Sequence, residues 1–438
     1  MSPLFIGLLI LLGLLALLGI GTPIAFALGF VSIIALMIVE GSGSLAILGE
    51  TFFGGLASFG LVSIPMFILM GSAVASSPAG KDLYEALDRW LNRVPGGLVL
   101  SNIGACSIFA ALSGSSPATC AAIGKMGIPE MTKRGYPNEI AAGSIAAGGT
   151  LGILIPPSVT MIVYGIATET SIGRLFLAGL APGFMLTALF MAWTIYDCRR
   201  RGIGLTTLSN SFTMKERFAA LPRVLPFLAI IVGILYVLYG GVATPSEAAG
   251  VGALFCIVLV VVIYRMWSPK KVTNMFRDTL KESVMIMMII GASELFSFTL
   301  SSLFITQSIA EWIGALEVNR WVLMAIINFF LLFAGFFLPP VAVILMTAPI
   351  LLPIILQAGF DPYWFAVVLT INMEIGLITP PVGLNLYVIN GIAPSITLSE
   401  ILRGSIPYVL CMVVGILLLC FFPGIATWLP EFLMGKAL

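Results

Sequence analysis

Ser113, Ser115, Ser116 and Thr119 place four hydroxyls within seven residues, beside Gly114 and Pro117, in an otherwise apolar stretch. Neutral hydroxyl and carbonyl oxygens are hard acceptors of the kind an alkali cation takes. The amino end of a helix that starts after such a turn presents unpaired N–H groups, which suit an anionic substrate. The competing reading is that Ser and Gly merely let helices pack closely. A second polar set, Asn372, Glu374, Thr379, Asn385 and Asn390, surrounds Gly376 and Pro380 in another apolar stretch. Polar groups there are expensive unless paired or wetted, so binding is favoured over interhelical hydrogen bonding for Asn372, Thr379 and Asn385. Glu374 and Glu294 are the two acidic residues expected well inside a span. Each is either a proton or cation site or a carboxylate that is simply protonated or hydrogen-bonded. An ionised Glu374 would repel an anion, which argues for a cation or structural role.

Both sets lie beside a break of one kind. Gly152 is followed by Pro156 and Pro157, and Gly376, 224 residues later, by Pro380 and Pro381. Two prolines in mid-helix remove backbone donors and clash with the preceding turn. Nonhelical backbone at bilayer depth is tolerated only when buried in protein or lining a polar cavity, and paired interruptions in two halves mark a secondary transporter's binding site. The hydroxyl cluster is expected to face the Gly149 to Ser158 break.

The elements around these residues are membrane helices. Of the 438 residues 59% are hydrophobic and 9% charged, and the mean hydropathy is +1.11, which excludes a water-soluble globule. Apolar segments able to cross ~30 Å of hydrocarbon fall near 4–20, 23–40, 51–76, 139–168, 172–196, 224–241, 246–264, 283–310, 364–392 and 405–428. Residues 98–124 and 322–356 carry turn-forming residues at their centres, Ser113 to Pro117 and Pro339-Pro340. Each arm of about 15 residues is ~22 Å of helix, which passes the midplane without crossing, so both read as re-entrant hairpins. The first apolar run lacks a basic flank and a small-residue cleavage site and is expected to be a retained helix. Lys81 to Arg93 repeats Leu83, Leu87, Trp90 and Leu91 at helical spacing and should lie in the interface.

With residues 77–97 in the cytoplasm, alternation puts 18 of the 21 Lys and Arg inside, leaving Arg174, Arg320 and Lys436 outside. The N-terminus is then periplasmic. Residues 113–165 laid over 337–389 match at Ala118/Ala342, Pro129/Pro353, Gly135/Gly359, Ala142/Ala366, Gly152/Gly376, Pro156/Pro380 and Pro157/Pro381. Thr22-Pro23 and Thr244-Pro245 open the second span of each half. The expected fold is an all-α polytopic membrane protein in two repeats, 1–197 and 224–438, joined by a cytoplasmic loop at 198–223. Each half holds five transmembrane helices and one hairpin, and the odd number of spans makes the repeat inverted. Hairpin 98–124 precedes broken helix 139–168, and hairpin 322–356 precedes broken helix 364–392.

Other chemistries lack their residues. There is no phosphate-binding Gly-x-x-x-x-Gly-Lys-Ser/Thr loop and no His, hence no ATP hydrolysis and no Ser-His pair. No Cys-x-x-Cys pair occurs among the six cysteines, which read as free buried thiols. No enzyme activity, cofactor or nucleic-acid partner is expected; energy should come from an ion gradient.

The runs Ser113-Gly114-Ser115-Ser116-Pro117-Ala118-Thr119, Gly152-Ile153-Leu154-Ile155-Pro156-Pro157-Ser158, Thr244-Pro245-Ser246-Glu247-Ala248 and Asn372 through Gly383 resemble the large membrane subunit of tripartite ATP-independent periplasmic (TRAP) transporters. The resemblance covers essentially the whole chain. It implies a sodium-driven elevator transporter for organic acids in a bacterial inner membrane, served by a periplasmic substrate-binding protein and a small four-helix membrane subunit. It also implies that sodium ligands come from the tip at Ser113 to Ser116, the break from Gly149 and Thr150 to Pro156, the tip at Leu338, Pro339 and Pro340, and the break from Gly376 to Pro380 and on to Gly383. The run from Phe337 to Thr347 most resembles members that carry four-carbon dicarboxylates. The competing readings are a self-sufficient sodium/anion symporter, an ion channel, and a membrane-embedded enzyme or scaffold.

Overall fold

The computed structural model describes residues 2–203, 212–266, 268–315 and 318–435. Lys436 and residues 204–211 of the expected connecting loop lie outside the described residues. All regular elements among the described residues are helices.

The first half opens with α1 (Pro3–Gly19) and α2 (Ile24–Val39), 17 and 16 residues long. Each is about 25 Å, one turn short of the ~30 Å hydrocarbon layer. The span expected at 51–76 is instead two helices, α3 (Leu45–Leu56) and α4 (Ser63–Ala75), that meet at a 55° bend. Gly54 and Gly55 weaken the end of α3, and Pro65 in the first turn of α4 needs no helical partner for the N–H it lacks. The segment expected in the interface is a helix, α5 (Ala79–Leu91), which buries Leu83, Tyr84, Ala86 and Asp88. Arg134 pairs with Asp88 at 3.4 Å and Glu130 at 2.9 Å. Burial pushes the Asp88 carboxyl above its ordinary value, with the Arg134 guanidinium opposing.

Next come α6 (Gly97–Ser113) and α7 (Ser116–Lys133), the two arms of the first hairpin, then α8 (Asn138–Thr150) and α9 (Val159–Ala167), the two pieces of the first broken helix. The half closes with α10 (Ile172–Arg201). Its helix continues past the expected end at 196, and Arg201 reaches Asp197 at 2.9 Å and also pairs with Glu139 at the start of α8.

The second half starts with α11 (Met214–Tyr239) and α12 (Pro245–Ile263). Both begin with capping boxes, Thr213 with Glu216 and Thr244 with Glu247, so helix already occupies the end of the stretch expected as loop 198–223. The span expected at 283–310 is displaced. Its helix, α13 (Pro269–Ser302), is 34 residues or ~51 Å long, and a break at Leu303-Phe304, with Phe304 at φ +56°, separates it from α14 (Ile305–Ala315). Then follow α15 (Arg320–Gly335) and α16 (Pro340–Gln357), the second pair of hairpin arms, and α17 (Pro362–Leu377) and α18 (Leu384–Ile392), the second broken helix. The last expected span, 405–428, is α19 (Leu398–Phe421) followed by the short α20 (Gly424–Met434).

Six of the described helices are long and apolar enough to cross a membrane, seven with the bent α3–α4 pair. They include α16, one arm of the second hairpin; the broken helices reach comparable length only as two pieces each. The broken helices form the centre of the core: every residue from Ile140 to Thr150 and from Trp364 to Leu377 is buried. Such burial needs close backbone approach, and Gly supplies it at two crossings. Gly143 of α8 lies against Gly404 of α19, and Gly376 of α17 against Gly335 of α15.

Candidate functional site

The first hairpin turns where Gly114, at φ +59°, ends α6 in a left-handed cap that a side chain would strain. The Ser113 and Thr119 hydroxyls lie 2.8 Å apart, and Thr119 donates to the Ser115 carbonyl at 2.9 Å. The break between α8 and α9, whose Pro156-Pro157 bond is cis, lies directly on this turn. A Cβ built on Gly152 would stand 2.8 Å from the Ser115 carbonyl carbon and oxygen and 2.9 Å from the Ser116 nitrogen. One on Gly149 would stand 3.1 Å from the Ser116 oxygen. Thr150 and Ser158 spend their hydroxyls locally: Thr150 donates to Ala147 O at 2.5 Å, and Ser158 donates to Ile153 O at 2.6 Å while capping α9.

The second half reaches into this arrangement. Glu374, 1% exposed on α17, holds both carboxylate oxygens against the Ser116 hydroxyl, at 2.9 and 3.0 Å. The backbone amide of Ile153 faces the same carboxylate, and the Thr150 carbonyl lies 3.5 Å from the Ser116 hydroxyl. Hairpin turn, first break and second broken helix therefore share one buried set of hard oxygens. Asn385 of α18 donates to Ala146 O of α8 at 3.3 Å and keeps its Oδ1 buried without a partner among the described residues.

The second hairpin turn is held to its own break. The amide of Val382 donates to Phe336 O at 3.2 Å, and Asn372 donates to Asn328 of α15 and to Val368 O. Thr379 donates to Ile375 O at 2.7 Å, and Gly383 starts α18 at φ +53°. Pro380-Pro381 is cis, as in the first break. Asn390 donates to Ile396 O, away from this cluster, and Glu294 packs against Gly55 of α3 rather than entering the site.

Both turns and both breaks open onto one cavity of about 190 Å³. Gly114, Ser115, Ser116 and Pro117 line it from the first turn, Pro339 and Pro340 from the second, and Ile153, Leu377 and Leu384 from the breaks. Of the other expected site residues, Ser113, Thr119, Gly149, Thr150, Gly152, Pro156, Ser158, Asn372, Glu374, Gly376, Thr379, Pro380, Gly383 and Asn385 do not line it; Leu338 lies in the second turn, one residue before the lining. The chemistry available is cation binding by hydroxyl and carbonyl oxygens and anion binding at helix amino ends. Two polar residues of the lining were not expected from the sequence: Thr160 on α9 and Glu282 on α13. Glu282, Met285, Ile286 and Ile289 form one helical stripe in the sequence, a signal hidden by ending the preceding loop at 282. Two larger hollows, of about 440 and 490 Å³, lie on α11–α12 and beside α1, α2 and α13; their walls are almost wholly apolar.

Residues 11–425 match the family model described as "Tripartite ATP-independent periplasmic transporter, DctM component". A C4-dicarboxylate TRAP transporter large permease protein of Pseudomonas aeruginosa is 37% identical, over 85% of this chain and 86% of that one. Its Rhodobacter capsulatus counterpart is 34% identical over 97% and 99%. A sialic acid TRAP transporter large permease protein of Vibrio cholerae is 30% identical over 97% and 98%. Among solved structures, the YdaH transporter of Alcanivorax borkumensis superposes with a TM-score of 0.67 at 17% identity, covering 90% of this chain and 91% of that one, a likeness of fold alone.

Proposed function

This chain belongs to the DctM-component family of TRAP transporters, and from that premise we propose that it is the large membrane subunit of a sodium-coupled, binding-protein-dependent uptake system for organic acid anions, C4-dicarboxylates first. It is a transporter subunit and not an enzyme. Its partners are a periplasmic substrate-binding protein and a small four-helix membrane subunit, its membrane is the bacterial inner membrane, and its N-terminus is periplasmic. The two halves form an inverted repeat, and each hairpin moves with its broken helix as an elevator unit. The dicarboxylate assignment follows the names of C4-dicarboxylate relatives, which at 34 to 37% identity are more similar to this chain than the sialic acid relative at 30%.

The observation that carries this reading is the convergence of both hairpin turns and both Pro-Pro breaks on one cavity, with Ser116 hydrogen-bonded to Glu374 across the halves. A channel would need no such pair of turns meeting at one cavity. The test is uptake of radiolabelled succinate into proteoliposomes holding this chain and its small subunit, with and without an inward sodium gradient and the binding protein. Uptake that needs both supports the reading. Uptake with sodium alone would replace it with a self-sufficient symporter, and uptake indifferent to sodium would remove the coupling.

A further inference from the structure

Among the described residues, Glu282 is the one ionisable side chain in the lining of the cavity between the hairpin turns. It comes from α13, which belongs to neither hairpin and neither broken helix. The rest of the wall has the opposite tendency. Four helices begin at this cavity, α7 at Ser116, α9 at Val159, α16 at Pro340 and α18 at Leu384, and the amino end of each carries about half a positive charge. No Lys or Arg lines the space, and the next carboxylate, Glu374, stands directly behind Ser116. A cavity this small keeps any occupant within Coulomb range of its wall.

Resting on the reading of this chain as a sodium-coupled anion carrier, we propose that Glu282 makes anion occupancy of the cavity conditional on a cation. An anion entering alone is attracted by the helix ends but repelled by an uncompensated carboxylate. An anion entering beside bound sodium meets a neutralised wall. Glu282 is then a specificity-determining residue, selecting the cation-accompanied anion and suppressing uncoupled uptake.

The discriminating variant is Glu282→Gln, with Glu282→Asp keeping the charge. In proteoliposomes holding the full complex, Glu282→Gln should lower the half-saturating succinate concentration at limiting sodium by about tenfold and leave it nearly unchanged at saturating sodium. Glu282→Asp should behave as the parent. An equal change at both sodium levels, or none at either, overturns the proposal, since a merely structural role would not depend on sodium. A second readout needs no transport. In a Ser115→Cys chain, with reaction of the unsubstituted chain subtracted, Glu282→Gln should raise the rate of anionic relative to cationic thiosulfonate reagents about tenfold. A ratio that Glu282→Gln leaves unchanged overturns the proposal by itself. Uptake that ignores sodium in every chain overturns the parent reading and the proposal with it, and the reagent rates tell the two failures apart.

Discussion

Gly152 is where a single added methyl group should separate function from folding. The atoms that a Cβ would meet, at 2.8 to 2.9 Å, are the Ser115 carbonyl group and the Ser116 nitrogen, all backbone. No side-chain rotation relieves the contact, which falls about 0.6 Å short of the 3.4 Å where ordinary van der Waals contact begins. In Gly152→Ala the first break and the hairpin turn must move apart by that amount. Overpacking of this kind costs about 1–3 kcal/mol of stability. A 1 Å misplacement at a working site costs about a hundredfold, so a displacement of about half that size should raise the sodium concentration for half-maximal uptake by about tenfold. The assay is sodium-dependent succinate uptake in proteoliposomes with the small subunit and binding protein, beside thermal unfolding in detergent. Gly54→Ala, where the added Cβ meets nothing within 4 Å, is the control and should match the parent in sodium dependence. A Gly152→Ala chain with unchanged half-saturating sodium would refute the placement of a cation site between the turn and the break.

Three further outcomes follow from the packing. Ser116→Ala removes the hydroxyl that donates to buried Glu374 and should lower stability by about 1–3 kcal/mol, with Ser116→Thr milder; an unchanged unfolding midpoint in Ser116→Ala contradicts this. Gly404→Val should abolish the backbone contact of α19 with α8 at Gly143 and Glu139, seen as loss of monodisperse protein on gel filtration. Asp88 holds its proton more tightly when folded, because its pKa is raised by burial. Its contribution to stability is therefore full below the unfolded carboxylate value and is lost as pH rises through the folded one. Thermal unfolding across that acidic range should fall with rising pH more steeply in the parent than in Asp88→Asn; parallel profiles would count against it.

Legibility in the sequence followed chemistry that acts on the backbone. Pro156-Pro157 and Pro380-Pro381 end α8 and α17 within a few residues because Pro has no N–H, and Gly114 and Pro339 mark the hairpin turns for equally local reasons. Helix α5 was legible because its apolar stripe repeats at helical spacing. What escaped was set by partners elsewhere. The amino end of α13 was hidden by Lys270, Lys271, Arg277 and Lys281, which read as loop although Lys and Arg are good helix formers. The bend between α3 and α4 goes with the packing of Glu294 against Gly55, a contact across 239 positions that no local pattern announces. Ser116 and Glu374 were both visible as candidates, but their bond, spanning 258 positions, was not. The inverted repeat was argued from Gly and Pro pairs, and its elevator motion from family resemblance; both enter the function as proposals.

The bond from Ser116 to Glu374 also sets how this chain can be recombined. A cut at the connection between α10 and α11 yields two pieces of similar element order, inviting chimeras in which one half is taken from a relative. Ser116 and Ile153 would then come from one parent and Glu374 from the other, so that the buried carboxylate would meet donors chosen for a different partner. A half-chain swap that mismatches position 116 with position 374 strands an acid in the middle of the protein, so the pieces are interchangeable only as matched pairs.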